Sequence, residues 1–312
     1  MPWNERTKRR LKLRDLDILA TLIDAGSMGK AATRLNVSQP AVSKAIAELE
    51  AALGVRLVDR GRRGITPTAY GLALKKRSVA IFNDLRQGVQ DIDFLSDPTT
   101  GELRIGSTDP VSVALVSPCI DRLSRKHPRM SFHVVANDTA GLYKEVMDRN
   151  VELAICRMIG PVPDELAAEV LFHDSLTVLT SARNPLTRRR RLRLADLVNE
   201  PWVQLPSDSL FGSMVVEVFT ANGHAPPRPT VVTHSEYLKN AFLAKGRFLT
   251  VLPSFMLKVP GWHPRLKALP VDLPNTRRPV GLITLKNRML TPLAQLFIES
   301  VRTVAKGMAQ GA

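Results

Sequence analysis

The sequence predicts two joined architectures. An N-terminal all-α unit carries a winged helix-turn-helix and a long linker helix; a C-terminal α/β unit folds into two lobes. Three observations predict this. Residues 27–54, SMGKAATRLNVSQPAVSKAIAELEAALG, read as two short helices joined by a tight turn. From Leu74 to Leu95, residues Leu74, Ser78, Ile81, Leu85, Gly88, Ile92 and Leu95 alternate spacings of four and three, the period of a helix seam. Beyond Gly101, extended apolar runs alternate with helical ones, the rhythm of an α/β layer.

Each element follows from local signals. LRDLDILATLIDA (13–25) repeats apolar residues at helical spacing and predicts a helix behind the helix-turn-helix. Ala32 is small where two helices must approach, and Asn36 tolerates the left-handed backbone of a turn. Ser38 suits an N-cap, and Pro40 falls in the first turn, where a missing N–H costs little. Val42, Ile46 and Leu49 mark the buried face. Gln39, Ser43, Lys44 and Ala47 lie opposite, a mixture suited to the DNA major groove. Gly54 ends the helix. Two extended pieces around Gly-Arg-Arg-Gly then predict a β wing, with Arg60, Arg62 and Arg63 in reach of phosphates or the minor groove. Thr66 as N-cap and Pro67 at the first helical position open the linker helix, which runs to about Leu95. Its seam, with Leu74, Ile81, Leu85 and Ile92 as contacts, calls for a helix from a second copy; burial inside its own domain is the alternative. Ser96–Gly101 is turn-rich and reads as a hinge. The expected division is 1–66, 67–96 and 97–312. Lobe I would comprise about 101–173 and 277–312, and lobe II about 174–276, with a largely parallel sheet in the α/β layer.

The run AATRLNVSQPAVSKAIAELEAALGVRLVDR, with SQPAVS followed by LE..LG..L..R, resembles the LysR-type bacterial transcription regulators. The resemblance extends over essentially the whole chain in length and layout. Met28 stands where Phe is usual, and Val58-Asp59 replaces a commoner pair. The resemblance implies DNA contacts at Ser27, Ser38, Gln39, Pro40, Ser43, Lys44 and Thr66, besides the wing arginines. It implies linker helices paired antiparallel between subunits, a dimer of dimers, and contact with RNA polymerase. It also implies a periplasmic-binding-protein-like C-terminal domain that binds an effector in the cytoplasm. Weak features of PDELAAEVLFHDSLTVL and RRRRLRLADL are similar to a subgroup that regulates sugar-uptake (galactose-binding-protein) or aromatic-catabolism genes.

Charge agrees with a polyanionic partner. Residues 1–77 hold 16 Lys/Arg against 7 Asp/Glu, an excess of +9, whereas the other 235 residues hold 28 against 22, an excess of +6. No apolar run reaches membrane-span length, and MPWNERTKRRLKLR lacks the apolar core of a secretory signal. Two cysteines, Cys119 and Cys156, fit a reducing compartment and read as buried small hydrophobes, although some resembled regulators sense oxidants through paired cysteines. The six histidines lack metal-site spacing and read as structural. With no Walker loop, dinucleotide fingerprint or nucleophile elbow, neither an enzyme nor a cofactor is expected.

Loops at strand ends are the candidate effector site, because open α/β sheets bind ligands there and helix N-termini favour anions. Ser107 and Thr108 follow the first strand, Asp138 and Thr139 the second, and Arg157 the third; Ser207 and Ser235 hold the equivalent places in lobe II. The ligand expected is a polar or anionic metabolite. Simple helix capping is the competing role for Asp138 and Thr139, and a surface ion pair for Arg157. Two other functions stay open at this point: a ligand-independent architectural DNA binder, and an enzyme or solute-binding module with a DNA tether.

Overall fold

The computed structural model describes residues 10–61, 64–97, 100–261 and 265–309. The chain divides between Val89 and Gln90 into two compact units.

The first unit is built from α1 (Leu13–Ala25), α2 (Met28–Leu35), α3 (Gln39–Leu53) and the hairpin β1 (Val58–Gly61) with β2 (Gly64–Pro67). Leu19, Leu22, Ile46 and Leu49 are fully buried in one core, each burial contributing about 1.5–3 kcal/mol. Gly26 and Gly54 end α1 and α3 in the left-handed region that favours glycine. The hairpin pairs antiparallel, Val58 opposite Pro67 and Asp59 opposite Thr66. Thr66 and Pro67 therefore belong to the wing, and the predicted helix start is corrected by one turn signal. Thr68 is the cap: its hydroxyl accepts the Gly71 N–H at 3.1 Å and donates to the Arg56 carbonyl at 2.8 Å. The long helix α4 runs Ala69–Ser96.

Part of the apolar row predicted on α4 is taken up within its own unit. Leu74 and Phe82 pack against the first unit's own core. Ser78 is fully buried and donates to the Leu74 carbonyl. A Lys75–Asp24 ion pair lies on the same stretch. The first turns of α4 thus pack on their own domain, with Leu74 half-buried there. Ile81, Leu85, Ile92 and Leu95 remain exposed, Leu95 at 78%.

The second unit contains two five-stranded sheets. Lobe I has the order β4-β3-β5-β12-β6 and lobe II β11-β7-β10-β8-β9. The lobe I strands are β3 (Thr100–Ser107), β4 (Arg129–Ala136), β5 (Leu153–Arg157), β6 (Leu166–Asp174) and β12 (Arg278–Leu285). Those of lobe II are β7 (Leu176–Ser181), β8 (Trp202–Gln204), β9 (Pro229–Val232), β10 (Leu249–Pro253) and β11 (Leu266–Ala268). Each sheet is mixed, which corrects the expectation of a largely parallel layer. β3 pairs parallel with β4 and β5, but β12 lies antiparallel to both β5 and β6. In lobe II, β8 pairs parallel with β9 and β10, whereas β7 is antiparallel to β10 and β11. The antiparallel strands arise because the chain returns from the other lobe, which needs no crossover helix.

Helices α5 (Ser117–Lys126), α6 (Thr139–Met147) and α9 (Pro292–Ala309) belong to lobe I, and α7 (Leu210–Ala221) and α8 (Glu236–Ala244) to lobe II. A π-helical stretch, Ser112–Val116, precedes α5. The turn Ser254–Lys258 differs from the expected boundaries. It falls inside 174–276, yet Phe255 and Met256 are buried in the lobe I core, Phe255 edge-on to Phe172.

Candidate DNA interface and effector cavity

In the first unit, capping fixes the geometry of the reading helix. The Ser27 hydroxyl accepts the Lys30 N–H at 3.2 Å, and Ser38 accepts the Ala41 N–H at 3.4 Å. Asn36 closes α2 in the left-handed region at φ 52°. Both serines therefore have capping roles, each worth about 1 kcal/mol. On α3, Val42, Ala45, Ile46 and Leu49 face the core, whereas Gln39, Pro40, Lys44 and Ala47 are exposed and Ser43 half-buried. The Arg60 guanidinium donates to the Ser43 hydroxyl at 3.3 Å, which brings wing and reading helix together. Lys44 lies 3.9 Å from Glu48. Thr66 is exposed on β2. Arg62 and Arg63 lie outside the described residues.

Glu50 was missed as a structural part of this interface. Its carboxylate accepts the backbone N–H groups of Leu57 and Val58 at 2.7 and 3.3 Å, anchoring the wing to α3. The Ile65 N–H donates to the Gly26 carbonyl at 2.9 Å, fixing the other strand. Gly71 is required for close approach: a Cβ there would lie 2.0 Å from the Leu57 carbonyl oxygen.

In the second unit a cavity of about 350 Å³ opens between the lobes, within the size range of small-molecule sites. It gathers the loops after β3, β4 and β5 from lobe I, and the ends of β8 and β10 with α7 and α8 from lobe II. Thr108, Asp138, Thr139 and Arg157 line it as the sequence suggests. Ser107, Ser207 and Ser235 do not. Ser107 is fully buried with its hydroxyl on the Thr108 carbonyl. Ser207 is exposed, and the lining place belongs to Ser209, which caps α7. Ser235 caps α8 by accepting the Leu238 N–H, and the helix it caps presents Glu236 and Lys239 to the cavity.

The residues that do line the cavity carry structural bonds as well. Asp138 caps α6 at Gly141, and the Thr139 hydroxyl donates to the Arg157 carbonyl at 2.9 Å. Arg157 is buried to 4% exposure against Asp174, Nη1 to Oδ2 at 2.8 Å, so its charge is already paired. Its Nη2 also donates to the carbonyls of Asp174 and Thr276. Asp174 further accepts the Ser254 hydroxyl and the N–H groups of Ser254 and Phe255. One buried pair thereby joins the end of β5, the exit of β6, the Ser254 turn and the approach to β12. Burial outweighs the carboxylate and draws the Arg157 pKa down from its ordinary value. Among the buried polar atoms without a hydrogen-bond partner in the described residues are Nε of Arg157 and the Gln204 amide nitrogen.

His234, expected to be structural, lines the cavity. His263 lies outside the described residues. Cys119 and Cys156 are both buried and unpaired, and burial pushes the Cys156 thiol up to about 12. No described helix is long and apolar enough to cross a membrane.

Comparison with known proteins decides the family. Residues 13–72 match the bacterial regulatory helix-turn-helix protein family of lysR type, and residues 96–306 match the LysR substrate binding domain. The chain belongs to the LysR family. The transcriptional regulator GbpR of Azospirillum brasilense is 30% identical over 97% of this chain and 90% of its own length. PcaQ of Agrobacterium fabrum is 27% identical over 97% of this chain and 98% of its own. The LysR-type fold matches full-length CbnR in complex with its target DNA at a TM-score of 0.69 and 20% identity, covering 94% of this chain and 100% of CbnR. This LysR-type chain is therefore a DNA-binding transcriptional regulator with an effector-binding domain, and not an enzyme.

Proposed function

We propose that this regulator reads its operator through Gln39, Pro40, Ser43 and Lys44 on α3, while Ser27, Ser38, Arg60, Arg62, Arg63 and Thr66 contact the backbone around them. The observation that carries this reading is the exposed polar face of α3, joined to the wing by the Arg60–Ser43 hydrogen bond. Cations there contact phosphates and make affinity salt-dependent, by about 0.9 in log–log slope per phosphate neutralised. The exposed row Ile81, Leu85 and Ile92 supports pairing of linker helices between two copies, a row too long for a solvated face. Such a dimer, and a dimer of dimers built from it, reads a two-fold operator in the cytoplasm and contacts RNA polymerase. A polar metabolite in the cavity biases one lobe arrangement by binding it more tightly than the other.

Footprinting on the promoter nearest the gene tests the first part. Ser43→Ala with Lys44→Ala, folded by circular dichroism, should lose protection at moderate salt. Unchanged protection refutes the assignment of α3 as the reading element.

A further inference from the structure

We infer that lobe II carries a second, sequence-independent contact for duplex DNA, a basic edge centred on the Arg188–Arg191 run. DNA binding by the chain suffices for this; which residues of α3 read the operator does not enter. Residues 90–312 hold 27 Lys/Arg against 21 Asp/Glu, an excess of +6. Three segments of lobe II, 182–200, 240–248 and 265–272, hold 10 against 3, an excess of +7, and the remaining residues of the unit hold 17 against 18. The whole excess of the unit thus lies in these segments, with Asp196, Glu200 and Asp272 already counted against it. The fold brings the segments together. β11 pairs antiparallel with β7, Leu266 opposite Ser181. The Ala182 N–H donates to the Arg265 carbonyl at 2.7 Å, and the Leu192 N–H to the Pro270 carbonyl at 3.1 Å. Arg183, Asn240 and Arg265 line one hollow of about 420 Å³.

The run is held at both ends. Asn184 accepts the Leu186 N–H at 2.9 Å, and Leu186, Leu192 and Leu194 are buried in the lobe II core. Arg188–Arg191 between them are exposed, as are Arg183, Lys245, Arg247, Arg265 and Lys267. Arg193 lies 3.5 Å from Asp196, and the charge of Arg189 reaches the same carboxylate. Arg247 lies over the Phe248 ring. No other ion pair engages these cations among the described residues. Like charges crowded on a fixed loop repel one another, and a polyanion relieves that repulsion. Eight of the ten cations are arginine, whose planar fork gives phosphate paired hydrogen bonds that lysine cannot. Apolar content decides between DNA and an acidic protein. No exposed large apolar side chain among the described residues falls in the three segments. Protein–protein interfaces centre on an apolar, charge-poor core, whereas the DNA backbone needs only cations and hydrogen-bond donors. Once the first unit holds a duplex, contact by lobe II is an intramolecular step and adds to affinity accordingly.

Binding of the full chain to a mixed-sequence duplex of about 60 base pairs, measured as a function of salt, tests this. Mixed sequence keeps the operator and the reading residues of α3 out of the readout. Two variants are compared with the parent. One carries Arg188→Gln, Arg189→Gln, Arg190→Gln and Arg191→Gln. The other removes as much charge from exposed positions of lobe I, with Arg122→Gln, Lys126→Gln, Lys286→Gln and Lys306→Gln. Melting temperatures check both folds; should the first variant melt lower, Arg183→Gln with Arg265→Gln is read in its place. The expected result is a log–log salt slope shallower by about 2 or more in the lobe II variant, with affinity about tenfold lower at about 0.15 M salt, against a change below about 1 in the lobe I variant. For the Arg183, Arg265 pair the expected change in slope is about 1 or more. A lobe II variant that keeps the parent's slope overturns the proposal and returns the edge to solvent or to an acidic protein. Equal losses in the two variants overturn it as well, because net charge alone then accounts for both.

Discussion

Replacing Asp174 with Asn removes the counter-ion of Arg157 while keeping the volume and one acceptor oxygen. Both partners are buried, at 4% and 6% exposure, so the guanidinium would stay out of water with only neutral acceptors, the amide oxygen and two carbonyls. Breaking one side of a buried pair costs about 3–5 kcal/mol. For a unit of this size each kcal/mol moves the midpoint about 2–4 °C, so Asp174→Asn should lower the melting temperature of the 90–312 unit by roughly 6–20 °C. Arg157→Met should cost less, about 1–3 kcal/mol, because Asp174 keeps three donors from Ser254 and Phe255. The double variant should lose less than the two single losses added together, since the partners are in contact. Scanning calorimetry of the four proteins reads all three expectations. An Asp174→Asn midpoint within about 2 °C of the parent, a costlier Arg157→Met, or strict additivity would refute the claim that this pair fixes the lobe connections.

Three other outcomes are expected. Glu50→Ala orphans the Leu57 and Val58 N–H groups; it should destabilise the first unit by about 1–3 kcal/mol in urea unfolding and weaken operator binding through the loosened wing. Hydrogen bonds from Arg302 hold the Glu169 carboxylate below its ordinary value. Its contribution is therefore present above the unfolded-state value near 4.5 and is lost as pH falls through the lower folded value. Glu169→Gln, in an exposed pair, should then cost at most about 1 kcal/mol at pH 7, the difference from the parent shrinking in a melting series as pH falls below the ordinary carboxylate range. Buried Cys119 and Cys156, both with raised thiol pKa values, should resist a thiol-specific alkylating reagent at pH 8 in the native chain and react in urea. Native labelling at a rate comparable to a free thiol would show that burial does not protect them.

The helix-turn-helix was legible in the sequence almost to the residue, because its boundaries are set by neighbours in the chain. Ser27, Asn36, Ser38 and Gly54 each cap or close a helix through bonds within five residues. The start of α4 was misread for a related reason: Thr66-Pro67 and Thr68 offer similar local signals. What separates them is the strand pairing of Pro67 with Val58, which is not local. The cavity was legible as a set of loops and not as a set of side chains. A Ser or Thr after a strand signals a cap as readily as a ligand contact, and Ser107, Ser207 and Ser235 took other roles. Arg157 depends on Asp174 and Thr276, 17 and 119 residues away, which no local pattern reports. Gln204 and Lys239 had no spacing to announce them. Their position follows from how the β8 end and α8 meet lobe I across the cavity.

The order of strands in lobe I has a consequence for synthesis of the chain. β12 sits between β5 and β6, so an inner position of that sheet stays vacant on the ribosome until every other strand of the sheet has been made. The helices and wing before residue 90 need nothing from later in the polypeptide to close their own core. Domains fold as units in the order they emerge. A nascent copy should accordingly hold a finished operator-reading head well before it owns a metabolite sensor, and premature termination before β12 should leave a head that no ligand can govern.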